Sequence, residues 1–336
     1  MRMLLAAEGL ELDSSISVFI VGDDNAGKLA CCAGLAHDVV KCVAIRADMR
    51  GEGLSLPLLT EVTATAWEMG QKNLFLYTKP ENETLFAGCG FISLAAVPGV
   101  AVLMENNKRR LADYCRELEA SKQPGEAAGL VMNCNPFTLG HRFLVEEAAR
   151  RANRVHLFVV REDCSEFSYE DRLHLVQQGV ADIPGVTVHP GSEYSISRAT
   201  FPSYFLKDAA DVENAHTGID VQIFRKYLAP ALGITHRFVG TEPHSAITRR
   251  YNEDLAYWLA TPDVAAPPVT LEIIDRMAVD GEPVSASRVR QFWNAGDMER
   301  VRRLVPETTY MYLQTRHPAG AGERAPAKAA SKEKTL

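Results

Sequence analysis

Residues 131–141 read Val-Met-Asn-Cys-Asn-Pro-Phe-Thr-Leu-Gly-His. An apolar run ends at Met132. Asn133, Asn135, Pro136 and Phe137 then lead to Thr138, Gly140 and His141, where a helical pattern begins. A strand that turns tightly into a helix points backbone amides at an anion, which suits the phosphates of a nucleoside triphosphate. Pro136 stiffens the turn. Gly140 keeps a side chain out of the ligand's way, and His141 falls in the first helical turn, facing the bound group. Far along the chain, residues 283–290 read Pro-Val-Ser-Ala-Ser-Arg-Val-Arg. Here two hydroxyls, Ser285 and Ser287, precede Arg290 at a helix start. The hydroxyls can donate to phosphate oxygens, and Arg290 can neutralise charge developing on a leaving pyrophosphate. Taken alone, Ser-x-Ser at a helix start is equally a plain N-cap.

The elements around these runs predict how they are held. Strand patterns at 129–132, 155–160, 186–189, 236–239 and 269–274 alternate with helical patterns at 139–153, 169–180, 220–228 and 251–259. Such alternation predicts an α/β region, 126–316, with a parallel sheet covered by helices on both faces. Ligands of such sheets lie at the carboxyl ends of the strands. Gly240, Thr241 and Glu242 follow a strand end and are candidates for ribose or adenine contacts. Arg198 and Lys207 are candidates for phosphate or acetate contacts. Cys134 lies inside the first motif, but its setting reads as structural.

Upstream, residues 1–105 read as a separate α+β unit. Strand patterns at 16–21 and 29–35 flank a Gly-Asp-Asp-Asn-Ala-Gly turn and form a hairpin. A strand at 39–45, a helix at 53–69, a strand at 74–77 and a second hairpin over 91–104 follow. Residues 106–125 form a charged connecting helix and linker ending in Gln-Pro-Gly. The tail, 317–336, is rich in Ala, Gly, Pro and Lys and is predicted to be disordered.

Composition narrows the function classes. The chain is 46% apolar and 24% charged, with a formal net charge of -7. That gives no electrostatic case for a nucleic-acid partner. No apolar run reaches the roughly 18 residues of a membrane span, and no signal-peptide pattern opens the chain. The 7 cysteines are odd in number and contain no C-x-x-C, which predicts reduced thiols in the cytoplasm. The 9 histidines form no H-x-x-x-H pair, so no resident metal is expected.

The Thr-x-Gly-His turn and the distal Ser-x-Ser-x-x-Arg resemble the two signatures of the nucleotidyltransferase superfamily. The first signature there often begins with His, and Thr138 stands in its place as a hydroxyl donor. The resemblance implies a Rossmann-like HxGH fold and gives His141 the role of stabilising the pentavalent α-phosphate, with Thr138 and Arg290 also in catalysis. Residues 131–141, 191–202, 238–243 and 284–290 together resemble the citrate lyase ligase family over nearly the whole chain. That implies ATP with Mg²⁺ and no permanently bound cofactor. It also implies acetate as substrate and, as partner, the acyl carrier subunit of citrate lyase with its CoA-like prosthetic group. Acetate would be adenylated with release of pyrophosphate, then passed to the prosthetic thiol. Other readings of the same motifs are a pantetheine-phosphate adenylyltransferase, an acetate-adenylating RNA-modification ligase, or a non-catalytic CoA-binding protein.

Arg50-Gly51-Glu52-Gly53-Leu54-Ser55 resembles the R-x-x-G-x-G/A loop of GCN5-related acetyltransferases. Its amides at a helix start would cradle the diphosphate of a CoA-like arm. Ser55 replaces the final Gly or Ala. Little chain precedes the first strand, so that fold's opening strand and helices are expected to be short or absent. Arg50, Gly51, Gly53 and Ser55 are therefore candidates for docking an arm, not for an independent transferase.

Overall fold

The computed structural model describes residues 1–161, 165–195, 201, 204–206, 208–241 and 246–316. Cys164, Arg198, Lys207, Glu242 and the tail 317–336 lie outside the described residues.

The chain begins with α1 (Arg2–Ala7), followed by β1 (Val18–Asp23), β2 (Leu29–Ala36) and β3 (Val39–Ile45). Then come α2 (Ser55–Glu68), β4 (Phe75–Thr78), α3 (Glu83–Gly88), β5 (Ile92–Val97) and β6 (Ala101–Glu105). No described strand precedes β1. The β1–β2 turn is set by Asp24, whose carboxylate accepts from the amides of Ala26 and Lys28, both at 2.9 Å. The helix α2 buries Leu58, Leu59, Val62 and Ala66 against the sheet. Their spacing is that of one helical face.

The sheet order is β1-β2-β3-β4-β6-β5. Every pairing is antiparallel except β3 with β4. That parallel pairing holds only at Val39 with Phe75 and Val40 with Leu76. Farther on, Val43, Ala44 and Ile45 of β3 and Leu76, Tyr77 and Thr78 of β4 form opposite walls of a cleft. The splay is a direct product of the short register.

After α4 (Arg110–Glu119), the chain enters a second sheet through β7 (Ala127–Met132), α5 (Leu139–Arg151), β8 (Arg154–Val159), α6 (Tyr169–Gly179) and β9 (Val186–His189). The helix α7 (Ala209–Ile223) runs through a π-helical turn into α8 (Ala229–Leu232). Next come β10 (Ile234–Gly240), α9 (Ala246–Ala260) and β11 (Thr270–Ile274). A small hairpin, β12 (Ala278–Val279) and β13 (Glu282–Pro283), leads to α10 (Ala286–Asn294), α11 (Met298–Arg302) and α12 (Glu307–Arg316). The second sheet is wholly parallel, in the order β11-β10-β7-β8-β9. The chain leaves β7 in one direction and later returns on its other side as β10, which makes β7/β10 the switch point. The α/β class expected from the sequence is what the chain adopts.

The two sheets share one apolar core that includes Leu94, Val97, Phe224 and Trp258. The free edge of β5 meets the α7 region through polar side chains. Gln222 donates to the Ala96 carbonyl at 2.7 Å and accepts from the Ala96 amide at 3.4 Å. Lys226 and Tyr227 both donate to the Leu94 carbonyl. These bonds replace the strand partner that β5 lacks, so its backbone groups are not buried unpaired.

Several elements differ from the sequence reading. Of the expected helix over 220–228, residues 220–223 end α7, which begins at Ala209, and Phe224–Leu228 form its π-helical continuation. Thr217 and Gly218 are weak helix formers. The Asp208 carboxylate caps this helix through the Ala210 amide, and contact with β5 and α9 buries it. The helices α3, α11 and α12 are short and carried no clear periodic signal.

Candidate active site

A cavity of about 540 Å³ opens at the carboxyl ends of β7, β10 and β11. Its walls include Thr138, Gly140 and His141 from the first motif, Gly240 from β10, and Ser285 and Ser287 from the second motif. Asp275, Arg276 and Arg288 complete its charged lining together with Glu282.

Thr138 is the N-cap of α5 in a reciprocal capping box. Its Oγ1 accepts from the His141 amide at 3.3 Å, and its own amide donates to His141 Nδ1 at 3.1 Å. A backbone N–H can only donate, so Nδ1 is the bare nitrogen and the proton sits on Nε2. The ring stacks on Phe137 with centroids 5.8 Å apart. Burial and the nearby positive charge of Arg276 push the imidazole pKa down to about 4. At neutral pH His141 is therefore an uncharged donor through Nε2–H. The Thr138 hydroxyl, 3.0 Å from Nδ1, is engaged in orienting that ring.

The amides of the first helical turn are divided. Leu139 donates to the Leu304 carbonyl at 2.9 Å, and His141 donates to Thr138. A Cβ on Gly140 would stand 3.1 Å from the Val284 carbonyl oxygen. The absent side chain thus lets the second motif close against the first.

Ser285 is the N-cap of α10, accepting from the Arg288 amide at 3.3 Å. Its hydroxyl proton remains able to donate. Arg290 lies outside the cavity lining. Its Nη1 donates to the Asn135 carbonyl across 155 residues of sequence, its Nη2 donates to Ser287 Oγ at 3.2 Å, and Glu166 pairs with it at 3.6 Å. Arg290 therefore ties the two motifs together.

Asn133, Asn135, Pro136 and Phe137 shape the turn from behind. Asn133 accepts twice from the fully buried Arg172, at 2.6 Å through its carbonyl and 2.6 Å through its side chain. Asn135 accepts from the Phe167 amide at 3.2 Å, and Phe137 is fully buried. The Asn135–Pro136 bond is cis. Cys134 is buried, which pushes its thiol pKa up, away from nucleophilic use. Thr241 stands just outside the lining, where its hydroxyl accepts from the Arg276 amide at 3.2 Å.

Arg276 was missed in the sequence. The available signal was its position two residues past the end of β11, at the carboxyl edge of a parallel strand.

A family model described as the citrate lyase ligase C-terminal domain matches residues 127–313. The chain is 50% identical over 324 residues to the citrate (pro-3S)-lyase ligase of Escherichia coli (strain K12), covering 95% of this chain and 92% of that one. This chain belongs to the citrate lyase ligase family. It is thereby an enzyme. The same ligase of Klebsiella pneumoniae is 50% identical over 305 residues, with 90% and 89% of the two chains covered. The solved structure of Thermotoga maritima TmcAL bound with alpha-thio ATP aligns over 57% of this chain and 55% of its own. Its identity is 14% and its TM-score 0.35.

This family member has a second cavity, of about 490 Å³, in the splay between β3 and β4. Arg50 and Ser55 line its rim, while Gly51 and Gly53 turn the loop beside it at φ +87° and +76°. Only glycine takes such angles without strain. Tyr204 and Phe205, which follow β9 in the other half, also line it. Two residues upstream of them pack on β4: Tyr194 edge-on against Phe75, and Phe201 against Tyr77. No described helix is long and apolar enough to cross a membrane. Among the described residues no group of three or more His, Cys, Asp or Glu gathers to hold a metal.

Proposed function

We propose that this chain activates citrate lyase by acetylating the prosthetic thiol on its acyl carrier subunit, using ATP and acetate in the cytoplasm. An acetate oxygen attacks the α-phosphorus of ATP and pyrophosphate leaves. The arm's thiolate then attacks the acetyl carbonyl and AMP leaves. The observation that carries this reading is the meeting of both motifs at one cavity, with a neutral His141 fixed as an Nε2–H donor.

The roles follow from position. The His141 Nε2–H would stabilise the crowded α-phosphate, where charge grows in the transition state. Ser285 and Ser287 would donate to phosphate oxygens. Arg276 and Arg288 line the cavity and would offset charge on the departing pyrophosphate. Thr138 and Arg290 act through others, the first by aiming His141 and the second by locking the motifs together. Gly240 leaves room for the nucleoside. Mg²⁺ would arrive with the triphosphate, and Asp275 and Glu282 are the carboxylates at hand in the lining. In the other half, the β3/β4 cleft would receive the CoA-like arm, with its diphosphate against Arg50 and the Gly51–Gly53 turn.

Pyrophosphate exchange into ATP, with and without acetate, tests the first half-reaction. Transfer of labelled acetate to purified deacetylated citrate lyase tests the second. Acetate-dependent exchange followed by transfer is expected. Exchange that ignores acetate would sink the reading.

A further inference from the structure

We propose that Glu8 is a specificity residue of the β3/β4 cleft, disfavouring free coenzyme A so that the cleft accepts a diphosphate-linked thiol arm only from a carrier protein. This inference rests on the reading of the cleft as the arm's docking site.

The charged side chains lining the cleft are Glu8, Arg50, Lys79 and Glu81. Two cations are matched by two anions, an unusual lining for a cavity that must attract a diphosphate. Glu8 forms an ion pair with Arg50, the cation nearest the glycine turn. The two partners differ in exposure. The Glu8 side chain is 17% exposed and that of Arg50 is 59% exposed. Glu8 ends α1, where its amide donates to the carbonyls of Leu4 at 3.2 Å and Leu5 at 3.0 Å. Leu4 and Leu5 are themselves buried in the main core. The Glu8 backbone is thus held by a packed helix end with its carboxylate against the cleft wall, whereas the guanidinium stands largely in solvent.

A diphosphate that reaches Arg50 must therefore lie beside the Glu8 carboxylate. Like charges brought together at a partly dry wall oppose binding. The apolar lining from Val43, Ile45, Leu76, Leu85 and Phe86 still suits the pantetheine chain. Free coenzyme A has only its own contacts with which to overcome the repulsion. An arm tethered to a docked carrier arrives at an effective concentration on the order of millimolar and shares the carrier's contacts. Glu8 would thereby keep an abundant soluble analogue from occupying the docking site.

Titration calorimetry with coenzyme A on the full chain and on Glu8→Gln tests this, with thermal melting to confirm that the variant folds. Glu8→Gln keeps the size and removes the charge. We expect it to bind coenzyme A about tenfold more tightly than the parent chain, the size of one partly screened charge contact. Adding Arg50→Ala to Glu8→Gln should abolish the gain. Equal, measurable affinity in parent and Glu8→Gln would overturn the role of Glu8 alone. No binding of coenzyme A by either chain would likewise overturn the role of Glu8, because removing its charge would not have opened the cleft; docking of the tethered arm itself is read separately, from carrier acetylation by Gly53→Glu.

Discussion

The amide of Thr138 donates to Nδ1 of His141 at 3.1 Å, while Oγ1 of the same threonine accepts the His141 amide at 3.3 Å. The two bonds fix both the start of α5 and the tautomer of the ring. A helix cap and the proposed transition-state donor are one structure here.

His141→Ala should slow acetate-dependent pyrophosphate exchange by about 10²–10³, the usual cost of one lost transition-state donor. Thr138→Val should retain His141 but lose its aim. We expect a drop of about 1 kcal/mol in stability from the lost cap, with a fall in kcat larger than any change in KM. Nitrogen NMR of the labelled imidazole should show the proton on Nε2 in both the parent chain and Thr138→Val, because the backbone amide of residue 138 still donates to Nδ1.

The depressed pKa of His141 makes stability depend on acidity. Its folded value of about 4 lies below the ordinary 6.5, so the unfolded chain binds the proton first. The contribution is complete above pH 6.5 and is lost as pH falls towards 4. Burial pushes His156 and His189 in the same direction. Melting temperature should decline across this window, and His141→Asn should decline less. An unchanged slope in that variant would contradict the depressed value.

Arg276→Met should raise KM for ATP and slow exchange, because a positive charge leaves the cavity wall. It should also raise the pKa of His141, since Arg276 is the charge that helps hold it down. Titration of the His141 ring by NMR separates this from a folding defect, which would move many histidines together.

Gly53 adopts φ +76°, where any side chain would be strained although its Cβ would meet open space. Gly53→Glu should weaken acetylation of the carrier subunit while leaving acetate-dependent exchange intact. Equal loss of both activities, or of neither, would count against docking at the cleft.

Contiguous signals were the legible ones. Both motifs could be read because each is a short run in which residue type and helix start coincide. The β1–β2 hairpin was readable from turn chemistry around Asp24. Arg276 was not, because its importance depends on β11, β10 and β7 lying side by side, which no local pattern states. The sequence also could not tell which motif residues face inward. Asn133 serves a buried arginine and Phe137 a core, although both sit among residues that line the cavity. The first half of α7 was hidden for the opposite reason. Thr217 and Gly218 interrupt its helical signal, and packing against β5, distant in sequence, holds the helix through them.

The bonds from Gln222, Lys226 and Tyr227 to β5 have a consequence for how the chain can be divided. A fragment stopping after β6 would present β5 as a bare strand edge with an apolar face beside it. Such an edge recruits other strands, so the fragment would tend to aggregate instead of folding alone. The residues that close it belong to the half that carries the phosphate motifs. Duplication, fusion or exchange of the two halves as independent modules would be penalised from the first step, which would keep them on one polypeptide.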